Sequence, residues 1–334
     1  MTGSEDCFLR VWPLDFSEYI LEAKHESIVL SLDISQSGTK LSCGIANGGI
    51  GILDLANQSY KTMIRSHTEE ILQLEIHEHT NSLISLSRDG SIRLWDLNTL
   101  EQNYEFSYPP GDPCTFLACQ PGAGLFIGGF ESGIFRVFDI EKVSILEEVK
   151  YHEKSIVCVK ITKNGKYMGI GDKGGSYALY DIPKGYQMVK RMGPGVGVGI
   201  GNVWVGFNSD GELMGVVGEG GTHIIIWELY NLTQVLKLFC QGIYVKMFEF
   251  SSSGEELYVV SADCRIRVYG IKSDFDELQM EVFFLYDLPF GHRESIDALQ
   301  ISNNARFLFS GGNDPFLKLW ATNDFGTKIN KIYY

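Results

Sequence analysis

The sequence predicts an all-β protein built from short antiparallel strands in repeated units. Three observations carry that prediction. The 334 residues include 37 Gly, 44% are hydrophobic and 21% charged, and no long Ala, Glu, Lys and Leu run follows a helical period. Apolar alternations of strand length are separated by Gly, Asn, Asp and Ser clusters such as "RDGS" at 88–91, the pattern of hairpin turns. An aromatic or large apolar residue closes a strand-like run at Trp12, Leu53, Trp95, Phe138, Tyr180, Trp227, Tyr269 and Trp320, with successive spacings of 41, 42, 43, 42, 47, 42 and 51.

Each interval divides in the same way. In the clearest unit the runs read "ILQLEI", "LISLS", "SIRLWDL" and "QNYEFSY". Four strands about every 42 residues is the blade signature of a β-propeller, in which radial repetition leaves only short, protected edges. The chain opens on "TGSEDCFLRVWPL", a second-to-third strand turn with no first strand before it, and closes on "TKINKIYY", an outer strand. We therefore expect seven full four-stranded blades and an N-terminal partial one, at about 1–24 (partial), 25–66, 67–108, 109–151, 152–192, 193–239, 240–285 and 286–334. Together they would form one propeller that is a segment of a longer protein. Whether the ring holds seven blades or eight stays open. The strand at 18–25 is expected to pair with the last blade or with strands outside this sequence.

Fixed offsets give the candidate structural residues. Stepping back 6, 10 and 28 from Trp95 gives Asp89, Ser85 and His67; the same steps from Trp320 give Asp314, Ser310 and His292. Partial sets are Asp6 and Thr2 before Trp12, His25 before Leu53, His152 before Tyr180 and Asp263 before Tyr269. The third unit has Pro110 and Ser132 at the His and Asp positions, and the fourth has Gly174 at the Asp position; apolar packing is expected to hold these blades. The pattern resembles the His–Ser/Thr–Asp–Trp tetrad of the WD-repeat family, and the resemblance implies that each set ties three strands of one blade together. Ser, His and Asp are also the parts of a hydrolytic triad, but an enzyme has one such site. Recurrence at identical spacing is what a structural network predicts.

Other motifs read as fold. "GPGVGVGIGNVWVG" at 193–206 lacks the third glycine of a dinucleotide loop, and a strand pattern follows it where a phosphate site needs a helix N-terminus. It is expected to be a loop running into an inner strand. His77 and His79 flank Glu78 with one spacer; without a third ligand the sequence gives no metal site. No catalytic residue and no cofactor is expected. The seven cysteines hold no Cys-x-x-Cys pair, and Cys43, Cys158 and Cys264 fall in apolar strand patterns, which predicts buried free thiols.

A net charge of −14 disfavours nucleic acid, which needs a basic surface, and anionic lipid; no run of about 18 apolar residues spans a membrane. Protein partners remain. The 51-residue interval carries Asp274, Asp276, Glu277 and Glu281 beside Phe275, Met280, Phe283 and Phe284. This is either an extended outer strand with an acidic turn or a partner-contact loop anchored by Phe275 and Met280. "YPPGDPC" at 108–114, with Pro109 and Pro110, is a second rigid connection able to present a surface.

The segments "TGSEDCFLRVWPLDF", "SRDGSIRLWDLNTLEQNYEF", "GGFESGIFRVFDIE", "YHEKSIVCVKITKNGKYM" and "FSGGNDPFLKLW" resemble, in order, the WD repeat-containing protein 90 family of long centriolar and ciliary proteins. "FLRVWPLDF", with Trp-Pro in place of Trp-Asp, is the most specific of them. The resemblance implies a non-enzymatic scaffold in the cytoplasm and cytoskeleton, at the centriole or basal body or on the axoneme. Its partners would be microtubule-wall or ciliary proteins, or tubulin itself. The rival expectation is a general adaptor propeller that recruits peptides for signalling or ubiquitin transfer.

Overall fold

The computed structural model describes residues 1–13, 19–57, 59–63, 66–108, 111–192, 203–240, 242–274, 279–288, 291–302, 306–314, 316–321 and 331–333. Contacts divide the chain into two compact units, Met1–Ile156 and Val157–Tyr334. In the first unit a three-stranded sheet (Thr2–Gly3, Phe8–Val11, Leu21–Lys24) precedes three four-stranded sheets. The first of these is Val29–Ile34, Lys40–Ile45, Ile50–Asp54 and Ser59–Met63; the second is Ile71–His77, Ser82–Ser87, Ser91–Asp96 and Gln102–Ser107; the third is Cys114–Cys119, Leu125–Phe130, Ile134–Asp139 and Ser144–Lys150.

The second unit continues the series. The fourth sheet, whose first strand starts at Ile156, is Ile156–Ile161, Tyr167–Asp172, Tyr177–Asp181 and Gln187–Met192; the fifth is Val205–Phe207, Leu213–Gly218, His223–Glu228 and Thr233–Phe239. The sixth is Val245–Phe250, Glu256–Ser261, Ile266–Asp274 and Gln279–Asp287, and the seventh Ile296–Ile301, Phe307–Gly312, Leu317–Ala321 and Lys331–Tyr333. Every sheet is an antiparallel meander in chain order. One short 3₁₀ turn, Glu219–Gly221, is the only helix among the described residues. The strand predicted at 18–25 joins its own sheet: Leu21–Lys24 pairs with Phe8–Val11, Val11 opposite Leu21. That corrects the expected pairing with the last blade or with strands elsewhere. A local hairpin closes with far less chain entropy than a distant pairing.

Position within a sheet explains the sequence pattern. Second strands have a neighbour on each side and are covered on both faces, so they read as near-continuous apolar runs; Ser82–Ser87 is buried at every residue. Fourth strands are largely exposed, as in Gln102–Ser107, and alternate weakly. A bulge recurs between third and fourth strands at Leu94/Trp95, Val137/Phe138, Leu179/Tyr180, Ile226/Trp227 and Val268/Tyr269. It strengthens the local twist and interrupts the edge ladder.

The turn between second and third strands needs a left-handed residue five positions before the strand-closing aromatic. Gly48 and Gly133 meet that need, with φ of 84° and 81°. They have a second reason to be glycine. A Cβ at Gly48 would lie 2.1 Å from the carbonyl oxygen of His67, and one at Gly133 2.3 Å from that of His152. Each turn therefore presses on the His-bearing connection that follows its own sheet.

First strands carry an edge that the meander leaves unpaired. Side chains from the preceding sheet occupy it. The Gln73 amide donates to the Leu117 carbonyl and accepts from the Leu117 N–H, both at 2.8 Å. Asp33 accepts from the Ile76 N–H at 2.5 Å, and the Thr115 hydroxyl donates to the Ile156 carbonyl at 2.5 Å. In the second unit Trp204 Nε1 donates to the Phe248 carbonyl at 2.9 Å and Lys246 Nζ to that of Ile296 at 3.3 Å. Capped in this way, these edges offer little to another strand. Burial pushes the Asp33 carboxyl up to about 6, against the N–H bonds that lower it.

Candidate functional site

The second sheet assembles the full tetrad. Trp95 Nε1 donates to Ser85 Oγ at 2.8 Å, Ser85 Oγ lies 2.7 Å from His67 Nε2, and His67 Nδ1 lies 2.9 Å from Asp89 Oδ2. Burial lowers the His67 pKa despite the bond to Asp89, so the ring is neutral. Nδ1–H then donates to Asp89, and Nε2 accepts the Ser85 proton. Burial would raise the Asp89 carboxyl. Hydrogen bonds from Ser91 and His67 outweigh it and bring the group down to about 2. Ser85 is fully buried and held between Trp95 and His67. A nucleophile must meet its substrate; this hydroxyl is sealed, and the chain of bonds links three strands.

The seventh sheet repeats the Ser–His–Asp bonds and sets Trp320 against them. His292 lies 2.6 Å from both Asp314 Oδ1 and Ser310 Oγ, and the Trp320 ring meets it edge-on at 6.3 Å. The three-stranded sheet keeps one leg, Trp12 Nε1 donating to Thr2 Oγ1 at 2.8 Å.

Elsewhere the network is rewired. Leu53 stands at the Trp position of the first sheet, and Tyr60, opposite it on the fourth strand, takes over: its hydroxyl lies 2.7 Å from His25 Nε2. Cys43 occupies the Ser position, with Sγ 3.5 Å from the same nitrogen. In the third sheet the carboxylate changes sides. Ser132 holds the Asp position, and its N–H donates at 2.9 Å to Asp112, which lies on the connection where the His would be. In the fourth sheet Asp172, two residues before Gly174, accepts from the N–H groups of Gly174 and Ser176 at 2.9 and 3.1 Å.

A second repeating contact escaped the sequence reading. Two positions before the closing aromatic, a basic side chain reaches both the turn carboxylate, or Asp112 in its place, and an acid on the last strand of its sheet. Arg10 contacts Asp6 at 2.7 Å and Glu22 at 2.8 Å; Arg93 contacts Asp89 at 3.9 Å and Glu105 at 3.0 Å. Arg136 contacts Asp112 at 3.7 Å and Glu148 at 2.7 Å, and Arg267 contacts Asp263 at 2.5 Å and Asp287 at 3.8 Å. Lys318, at this position in the seventh sheet, donates to the Gly291 carbonyl at 2.7 Å. The signal was available as Arg at −2 with Glu at +10 from Trp12, Trp95 and Phe138.

The remaining candidates separate. His77 has both ring nitrogens engaged, Nδ1 with Thr80 Oγ1 at 2.8 Å and Nε2 with the Ala123 carbonyl at 2.5 Å, so neither is offered to a metal. All seven cysteines are free; Cys43 and Cys158 are buried in strands. Cys264 departs from the expectation. It is part-exposed in a turn at φ 64°, and Cys7 takes the equivalent place at φ 69°. Both occupy the left-handed turn position that Gly48, Gly90, Gly133 and Gly175 fill in other sheets. Residues 193–202 of the glycine run, Pro109, Pro110 and Phe275 lie outside the described residues; Val205–Phe207 after the run is a strand, as expected. Met280 lies in a strand opposite Ser273, and its side chain is outside the description. Beside it Phe283, Phe284 and Leu285 are 39%, 47% and 38% exposed. Among the described residues no helix is long and apolar enough to cross a membrane.

Serial four-stranded meanders with repeated buried tetrads define a WD-repeat β-propeller. The family model "WD domain, G-beta repeat" matches residues 58–96 and 284–321, the two segments that hold the complete tetrads. A chain of the "Crystal Structure of Mitotic Checkpoint Complex" superposes with a TM-score of 0.70 over 89% of this chain and 87% of that one, at 13% identity, which supports the fold alone. The chain is homologous to WD repeat-containing protein 90. The Xenopus tropicalis protein of that name is 30% identical over 99% of this chain, which covers 18% of that protein. Centriole proteome protein 16 of Chlamydomonas reinhardtii is 27% identical over 96% of this chain, which covers 15% of it. The chain thus spans less than a fifth of these curated relatives.

Proposed function

We propose that this chain is a non-enzymatic scaffold propeller of the microtubule cytoskeleton, at the centriole or basal body or on the ciliary axoneme, docking neighbouring proteins or tubulin. One observation carries the reading: similarity to WD repeat-containing protein 90 and to a centriole proteome protein runs along almost the whole chain, well beyond the two segments that match the general repeat. The sealed serines support a role without chemistry. A net charge of −14 opposes unaided binding to acidic tubulin tails, so protein neighbours, or tubulin through local patches, are the expected partners.

The test is cross-linking mass spectrometry on isolated axonemes and basal bodies, following peptides from 270–290 and 108–114. Cross-links to tubulin or microtubule-wall proteins are the expected result. Links confined to soluble signalling or ligase components, or recovery outside the cytoskeletal fraction, would overturn the reading in favour of a general adaptor propeller.

A further inference from the structure

The sixth sheet differs from the others at its last edge. Its third and fourth strands run nine residues each, Ile266–Asp274 and Gln279–Asp287. Beyond the bulge at Val268/Tyr269 they continue through six straight pairs, from Tyr269–Phe284 to Asp274–Gln279. The corresponding fourth strand of the second sheet keeps one pair past its bulge, Trp95–Gln102, and that of the third keeps two, Phe138–Ile145 and Asp139–Ser144. The five pairs after Tyr269–Phe284 extend the ribbon by about 17 Å at strand rise.

This edge also lacks the basic residues of most other fourth strands. The first sheet's carries Lys61, the third's Lys150, the fourth's Lys190 and Arg191, and the fifth's Lys237, whereas "QMEVFFLYD" has none; the second sheet's "QNYEFS" has none either, but it is short and keeps one pair past its bulge. Edge lysines and bulges discourage strand addition; a straight run without either invites it. The ribbon is stiffened from within. The Phe283 ring lies over Gly270, where a Cβ would come within 2.7 Å of it, and Lys272 Nζ sits 5.1 Å from the same ring. Phe284 meets Tyr269 edge-on at 5.8 Å. The capped first-strand edges contrast with this one, which ends its sheet; the fifth sheet's Thr233–Phe239 lies beside it and shares with Val282 a common apolar cluster, without joining the ladder.

We propose that the edge of Gln279–Phe284 takes up an extended segment of a protein partner as an added strand. The segment is rich in β-branched residues and carries Lys or Arg. Main-chain bonds supply affinity in this mode of recognition and alternate side chains supply specificity. Charge selects the partner: residues 270–290 contain five acids, Asp274, Asp276, Glu277, Glu281 and Asp287, against one base, Lys272. The same charges oppose pairing with a second copy. The proposal rests on the scaffold reading and names the chemistry of one of its contacts.

The test uses the full chain and a blocked heptapeptide alternating valine and lysine. A matched peptide with alternate amides N-methylated serves as control. Fluorescence anisotropy gives affinity and amide hydrogen exchange gives location. Exchange at 279–284 should slow on binding, and N-methylation should weaken binding about tenfold or more, since it removes the edge bonds. Glu281→Lys should weaken the plain peptide about threefold to tenfold at low salt and less at high salt, with an unchanged melt as the folding control. Equal binding of the methylated peptide, protection at another segment, or no binding overturns the proposal. So does concentration-dependent dimerisation that the peptide displaces, which would assign the edge to a second copy. Edge protection without microtubule-wall cross-links sinks the scaffold reading alone; such cross-links without edge protection sink this proposal alone.

Discussion

The second and third sheets reach the same strand order by different means. The second is tied by the chain Trp95–Ser85–His67–Asp89. The third has no such chain among its described residues and fills the space with rings. Phe126 stacks on Phe138 at 4.6 Å and 8°, Phe106 reaches across from the second sheet to meet Phe138 at 4.9 Å, and Phe126, Phe130, Phe135 and Phe138 are all fully buried. The magnitudes explain why both work. Fully burying a Phe contributes about 1.5–3 kcal/mol, while a hydrogen bond nets about 0.5–1.5 kcal/mol. Three or four extra aromatics therefore outweigh a tetrad. What the tetrad adds is direction: its bonds are satisfied in one strand register only, whereas rings tolerate more than one.

Hollowing out the third sheet should have the largest effect. Phe138→Ala should cost about 3–5 kcal/mol, the range for a large-to-small change in a core, read as a shift in the denaturant midpoint. The tetrad should be less costly. His67→Ala or Asp89→Ala should each lose about 1–3 kcal/mol, through orphaned buried partners, with partner cross-links unchanged. An unaltered melt in both would remove the stabilising role assigned to the tetrad.

Acid should separate the two sheets further. The Asp89 carboxyl is depressed to about 2 from 3.8, so its stabilisation is complete above the unfolded value and is lost as pH falls toward 2. The His67 pKa is lowered from 6.5 by burial, so the unfolded chain binds the extra proton first and stability falls as pH drops through 6.5. Both act in one direction. In the third sheet the buried rings carry no group that titrates in acid, and burial pushes the Cys114 thiol beside them up to about 12. Melts from pH 7.5 to 2.5 should show His67→Ala flattening the limb as pH drops through 6.5 and Asp89→Asn flattening it below 3.8, while Phe138→Leu shifts the whole curve and leaves its slope. Equal slopes would contradict the assigned ionisation.

The smallest expected effect concerns the turns. Cys264→Gly relieves a left-handed φ that costs an L-residue about 1–2 kcal/mol, against about 0.4–1 kcal/mol of added unfolded-state entropy. A gain of about 0.5–1 kcal/mol should follow. Gly133→Ala should destabilise, because it adds the approach to His152.

Local periodicity made the blade series and both complete tetrads legible, because His67, Ser85, Asp89 and Trp95 lie within one unit at fixed steps. Contacts that depend on one residue replacing another across a sheet were not legible. Tyr60 substitutes for the missing Trp from the opposite strand, and Asp112 substitutes for Asp from the opposite side of the turn; neither follows from an offset. The edge caps were hidden for a different reason. Gln73 and Leu117 are 44 residues apart, and only the stacking of neighbouring sheets brings them together. Cys264 was misplaced because its apolar surroundings masked a position defined by backbone conformation.

The edge caps have a direction. Ser31 and Asp33 serve Ile71 and Ile76, Gln73 serves Leu117, Thr115 serves Ile156, Trp204 serves Phe248, and Lys246 serves Ile296. In each case the earlier sheet supplies the side chain and the later one receives it. A ribosome delivers the chain in the same sense, with N-terminal parts made first. Each of these capped first strands therefore emerges after the side chain that covers its margin has been made. A permuted chain that begins between a cap and its client would reverse that order for one seam, and aggregation during synthesis should rise there while the finished fold stays the same.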